Sequence, residues 1–125
     1  MSPDSRSEPL SLPPCRRRNC VSSLEARVHY RIEPLRFTGD SDAAWRRLVE
    51  LVRRQPRARI VAEEPERLKA VFRSLIFRFP DDVDFVLDPD ARVIHVRSAS
   101  RYGRRDYGVN RQRVEALRRA FEGGG

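Results

Sequence analysis

"DVDFVLDPDARVIHVRSA", residues 82–99, decides the fold. Two short runs rich in β-branched and aromatic residues flank DPDA, a turn signal. They read as the two strands of a hairpin. A four-residue loop from Asp88 to Ala91 places Leu87 opposite Arg92, Phe85 opposite Ile94 and Val83 opposite Val96. That face is apolar and is expected to pack on helices. The other face pairs Asp84 with His95 and Asp82 with Arg97. A one-residue slip would reverse the faces, and the apolar set argues against it.

Further strands and helices flank this hairpin. "SDAAWRRLVELVRRQP", residues 41–56, is the clearest helix: Ala44, Trp45, Leu48, Leu51 and Val52 recur at helical spacing, with arginines on the other side. Asp40 or Ser41 can cap its start and Pro56 marks its end. "ARIVAE", residues 58–63, reads as a short strand. "ERLKAVFRSLIFRF", residues 66–79, fits either period, and its aromatic content and neighbours favour a strand. "HYRIEPLRF", residues 29–37, is an edge strand at best, because Pro34 cannot donate to a ladder. In "NRQRVEALRRAFEGGG", residues 110–125, Val114, Leu117 and Phe121 form a helical stripe. Asn110 is a plausible cap, and three glycines end the run.

The expected fold class is therefore α+β: an antiparallel β-meander of three to five strands with two helices packed on one face, in two layers. Residues 1–14, rich in Ser and Pro, read as a disordered N-terminal tail. Residues 15–122 form a single domain, and residues 123–125 a glycine tail.

The chain of 125 residues suffices for one core. No stretch approaches the roughly 20 apolar residues needed to span a bilayer. The N-terminus lacks a basic segment followed by an apolar one, so a cytoplasmic protein without a membrane segment is expected. Cys15 and Cys20 can form a bridge in an oxidising compartment or remain thiols in the cytosol, and a cytoplasmic protein implies thiols. With no other cysteine, and His29 and His95 elsewhere, the four ligands of a structural zinc site are missing. No metal and no cofactor are expected.

The net charge is +8, and of 26 basic residues only Lys69 is lysine. Eight arginines between Arg97 and Arg119 face only Asp106 and Glu115. A local excess of that size attracts anions. "RSASRYGRRDYGVNR", residues 97–111, combines arginine forks, hydroxyls, turn glycines and a helix start. Arg97, Ser98, Ser100, Arg101, Asn110 and Arg111 are its candidate anion-binding residues, for phosphate or a carboxylate. The competing reading is a structural polar latch drawing on Asp82, Asp84, His95 and Asp106. In it Arg97 pairs with Asp82, Asp106 holds Arg101 or Arg111, and Asn110 caps the helix.

Cys20, beside Arg16, Arg17 and Arg18, is a candidate nucleophile, and Asp81 and Asp82 are candidate acid–base residues. Simpler readings are an unassigned thiol and carboxylates that neutralise nearby arginines. Tyr102 and Tyr107 among the arginines permit base stacking. However, no nucleic-acid-binding signature accompanies them, and Asp106 interrupts the patch. The favoured function is a binding or accessory protein holding a small anionic ligand. The alternatives are a small enzyme using Asp81/Asp82 or Cys20 beside the arginines, and then a nucleic-acid-binding protein.

Four stretches carry a family resemblance: "CRRRNCVSS" (15–23), "IEPLRF" (32–37), "FRFPDDVDF" (77–85) and "VRSASRYGRRDYGVNRQRVE" (96–115). Together they resemble the bacterial and plastid family of unknown function numbered 1499, over roughly residues 15–121. The resemblance implies no activity. Many members carry a membrane segment or lipoprotein signal, and neither is visible in this chain. Two departures stand out: Arg78 occupies a position where glycine is common, and Arg104-Arg105 replace an aromatic or small pair. They bear on the size and charge of any shared ligand.

Overall fold

In a computed structural model, the structure describes residues 10–103 and 108–123. The strands are β1 (Cys20–Ser22), β2 (Leu35–Arg36), β3 (Ala58–Glu63), β4 (Arg67–Arg73), β5 (Pro80–Asp88) and β6 (Val93–Ser100), and the helices are α1 (Ser41–Arg53) and α2 (Val109–Gly123). The class is α+β. The strands form one sheet in the order β1-β6-β5-β4-β3, with β2 also pairing with β6, and every ladder is antiparallel. From β3 to β6 it is a meander, as expected, but the sheet has six strands rather than three to five. The strand not expected is β1: CVS has no run of its own and pairs along β6. Of the edge strand expected over residues 29–37, only Leu35–Arg36 forms, as β2, also on β6.

The hairpin forms with its faces as expected and its register two residues away. Leu87 lies opposite Ile94, Phe85 opposite Val96 and Val83 opposite Ser98. Asp84 faces Arg97, Asp82 faces Ala99 and His95 faces Val86. The expected pairs Asp82–Arg97 and Asp84–His95 are therefore replaced. The loop explains the difference. Its four residues are Pro89 to Arg92, and Asp88 Oδ1 accepts from Ala91 N at 3.2 Å. Arg92 closes it in the left-handed region at φ 57°.

Val83, Phe85, Leu87, Ile94 and Val96 join Leu68, Ala70 and Phe72 of β4 in one buried cluster. The stripes of both helices enter the same cluster: Ala44, Trp45, Leu48, Val49 and Val52 of α1, and Val114, Leu117 and Phe121 of α2. Asp40 caps α1 by accepting from Ala43 N at 2.9 Å. Residues 66–79 resolve as a strand up to Arg73 followed by the turn into β5. The alternate positions of the sheet carry Lys69, Asp82, Asp84, His95 and Arg97, and Arg101 follows the end of β6.

Candidate functional site: a buried polar latch beside an arginine pocket

Asn110 sits on the apolar stripe of α2, four residues before Val114, and is fully buried. A buried amide requires partners. Its Oδ1 accepts from Ser98 Oγ at 2.6 Å and from Arg113 Nη1 at 2.9 Å. Its Nδ2 donates to Asn19 O at 3.1 Å and to Ser100 Oγ at 2.9 Å. Asn19, equally buried, donates to Gly103 O at 2.6 Å. Arg113 Nη2 lies 2.8 Å from Asp81 Oδ2, with both side chains almost out of solvent. The Arg113 guanidinium also lies over the Phe72 ring, 5.3 Å from its centroid. These six side chains join α2 to β5, β6 and the entry to β1.

The latch differs in membership from the one read in the sequence. Ser98, Ser100 and Asn110, expected to hold an anion, bond to one another. Asn110 does not cap α2, because Gly108 O accepts the first helical bond, from Gln112 N at 2.9 Å. Asp81 is bound to Arg113 and is not an open acid–base group. Arg113 and Asn19 were not among the expected residues. For Arg113 the available signal was its spacing: three positions after Asn110 it shares that inward face.

A family model described as "Protein of unknown function (DUF1499)" matches residues 11–121. The chain belongs to this family. Comparisons with curated proteins and with solved structures find no match. In this DUF1499 domain the stretches that carry the resemblance also contain the latch. Asn19 lies in the first, Asp81 in the third, and Ser98, Ser100, Asn110 and Arg113 in the fourth.

The remaining candidate residues occupy the other register positions of the sheet. Asp82 accepts from Arg101 Nη2 at 2.7 Å and Nε at 3.2 Å. The Arg101 guanidinium holds the Asp82 carboxyl below its usual value, and Asp82 raises Arg101 in turn. Asp84 binds Lys69 at 2.7 Å and lies 4.0 Å from Arg97. His95 bonds Ser23 Oγ at 3.0 Å and stands 4.0 Å from Asp88. Burial lowers its pKa, against the smaller opposing pull of Asp88, and so favours the neutral ring. Arg111 lies apart from the other candidates, donating to Arg31 O and His29 O. Asp106, Arg104, Arg105 and Tyr107 lie outside the described residues.

Cys20 is bonded to Cys15, so the expected free thiols are replaced by a disulfide. A bridged sulfur is not a nucleophile, which removes the Cys20 reading. The bridge brings Arg16 and Arg17 beside β6. There a cavity of about 160 Å³ is lined by Arg16, Arg17, Asn19, Cys20, Arg97, Ala99, Ser100 and Arg101. Among the described residues no carboxylate lines it. Arg97 Nη2 donates to Pro14 O at 3.3 Å. Its Nε is buried and has no hydrogen-bond partner among the described residues. No helix among the described residues is long and apolar enough to cross a membrane.

Proposed function

We propose that the domain is a non-catalytic binding module and that the Arg16–Arg17–Arg97–Arg101 pocket takes a small anion, a phosphate or a carboxylate. The buried Arg97 Nε, without a hydrogen-bond partner among the described residues, carries this reading. An unsatisfied buried donor costs about 1–3 kcal/mol, and an anion oxygen in the pocket would remove that cost with a charge-assisted bond. The pocket is small, rich in guanidinium groups and open to one side, which suits a compact oxyanion. The segment from Arg16 to Cys20 and the end of β6 shape the pocket. The candidate acid–base carboxylates Asp81 and Asp82 are engaged by Arg113 and Arg101, which favours binding. The Cys15–Cys20 bridge favours an oxidising compartment over the cytoplasm expected from the N-terminal sequence.

A thermal-shift series with sulfate, phosphate and chloride at matched ionic strength tests the pocket. Sulfate and phosphate should raise the midpoint more than chloride does, in proportion to the logarithm of their concentration once saturating. Arg97→Lys keeps the charge but removes the Nε donor, and should abolish that advantage. Equal stabilisation by all three anions, or an unchanged response in the variant, would refute the anion site.

A further inference from the structure

The turn between β4 and β5 presents its apolar side chains to solvent. Leu75 is 69 % exposed, Ile76 78 %, Phe77 72 % and Phe79 57 %. Soluble proteins seldom leave so contiguous an apolar surface without an interaction to make. The turn is also closed on itself. Ser74 N donates to Phe79 O at 3.1 Å, Phe79 N to Ser74 Oγ at 2.9 Å, and Arg73 Nη1 to Arg78 O at 3.0 Å. Phe77 stacks on Phe79 with centroids 5.5 Å apart. The apolar side chains are thus held on a short projection whose ordering cost is already met in the free protein.

Two arginines flank this projection. From Arg73 to Pro80 there is no carboxylate, and Arg73 and Arg78 bracket Leu75, Ile76 and Phe77. Arg78 occupies the left-handed region at φ 60°, where its Cβ crowds the following carbonyl oxygen. The carboxylates that follow are ion-paired, Asp81 with Arg113 and Asp82 with Arg101. Arg101 N donates to Pro80 O at 3.1 Å, which brings the exposed Tyr102 next to the base of the turn.

We infer that this turn docks the protein on an anionic lipid surface, with Leu75, Ile76 and Phe77 entering the headgroup–acyl boundary and Arg73 and Arg78 meeting lipid phosphates. A protruding apolar wedge matches a deformable bilayer better than a rigid groove. Arginine stems can bury beside the apolar residues while their heads stay at the charged layer. An anionic leaflet attracts each such cation, and tyrosine is suited to the interface. The attachment is peripheral and independent of the arginine pocket.

The experiment is co-sedimentation of the full chain with vesicles of phosphatidylcholine alone and of an equimolar phosphatidylcholine–phosphatidylglycerol mixture. Binding should be at least about tenfold tighter to the anionic vesicles and should weaken as salt rises. Ile76→Ser/Phe77→Ser should reduce it about tenfold or more while moving the thermal midpoint little, because both side chains are mostly in water and only the Phe77–Phe79 stack is lost. Arg73→Gln/Arg78→Gln should remove most of the preference for anionic lipid. In Ile76→Trp, quenching of the new indole by lipids brominated on the acyl chain should report insertion. Wild-type chain that binds neither vesicle, or binds both equally, would overturn the inference, as would undiminished binding by the serine variant. Arg97→Lys should bind vesicles like wild type; loss there would place the lipid phosphate in the pocket and overturn docking by the turn. A concentration-dependent dimer abolished by the serine variant, without vesicle binding, would assign the wedge to a second copy of the chain instead.

Discussion

Glu25 fastens the cysteine loop from outside. Its Oε2 accepts from Cys15 N at 2.8 Å, while Arg27 donates to both of its oxygens and also to Cys15 O. The Arg27 guanidinium, with help from the Cys15 amide, lowers the Glu25 pKa from 4.5 to about 2. The folded form therefore binds this proton less readily than the unfolded chain. Its contribution to stability is complete above about 4.5 and is lost as pH falls toward about 2. Acid unfolding followed by circular dichroism should show a shallower stability loss across that window in Glu25→Gln than in wild type. Curves of equal slope would mean that the carboxylate is not held this way. Arg27 and Glu25 illustrate what composition alone conceals. Arginine is so frequent in this chain that one at a structural joint looks like any other. Arg113 is concealed in the same way, and Asn19 because a buried asparagine and a loop asparagine are the same letter.

At the level of elements, alternation reveals which face of a strand is buried but not which residues lie opposite. Val83, Phe85 and Leu87 were legible as a core face because the side-chain period is two. A shift of two residues leaves that pattern intact, so only the loop could decide the register. The loop was decided by Asp88 and by the left-handed Arg92, neither of which hydrophobicity reports. The α1 boundaries were legible because Asp40 and Pro56 act locally. β1 was not, because its three residues form a strand only through pairing with β6.

The position of α2 rests on polar contacts as well as on Val114, Leu117 and Phe121. Breaking the Arg113–Asp81 pair by Arg113→Met leaves a buried carboxylate without its cation, which should cost about 3–5 kcal/mol in urea unfolding. Arg113→Met with Asp81→Leu should recover much of that loss, since the unpaired charge is then gone. A loss under about 1 kcal/mol for the single change, as for an exposed pair, would show that the latch does not hold the helix.

Over the whole molecule, arginine works largely as a donor to backbone carbonyls that no strand or helix satisfies. Arg118 reaches Glu33 O and Pro34 O, Arg111 reaches Arg31 O and His29 O, and Arg92 reaches Gly39 O. The long connection from Ser23 to Pro34 has little regular structure and is fastened to α2 by such contacts. Residues 11–14 lie against the sheet in the same manner, through Arg67 to Ser11 O and Arg97 to Pro14 O. Cys15 then ties that segment covalently to β1. Loss of the bridge should therefore be felt beyond the cysteines. With a sequence separation of 5, chain entropy assigns the closed loop about 2 kcal/mol, or roughly 5–10 °C in the midpoint of a domain this size. Reductant should lower the midpoint by that amount, and Cys15→Ser/Cys20→Ser should reproduce the shift and become insensitive to reductant. Because Arg97 holds Pro14, the same variant should also weaken the sulfate response of the pocket. Alkylation without reductant should leave both cysteines unmodified in protein isolated from its native compartment. Two alkylated cysteines there would mean free thiols, and would return the chain to a reducing compartment.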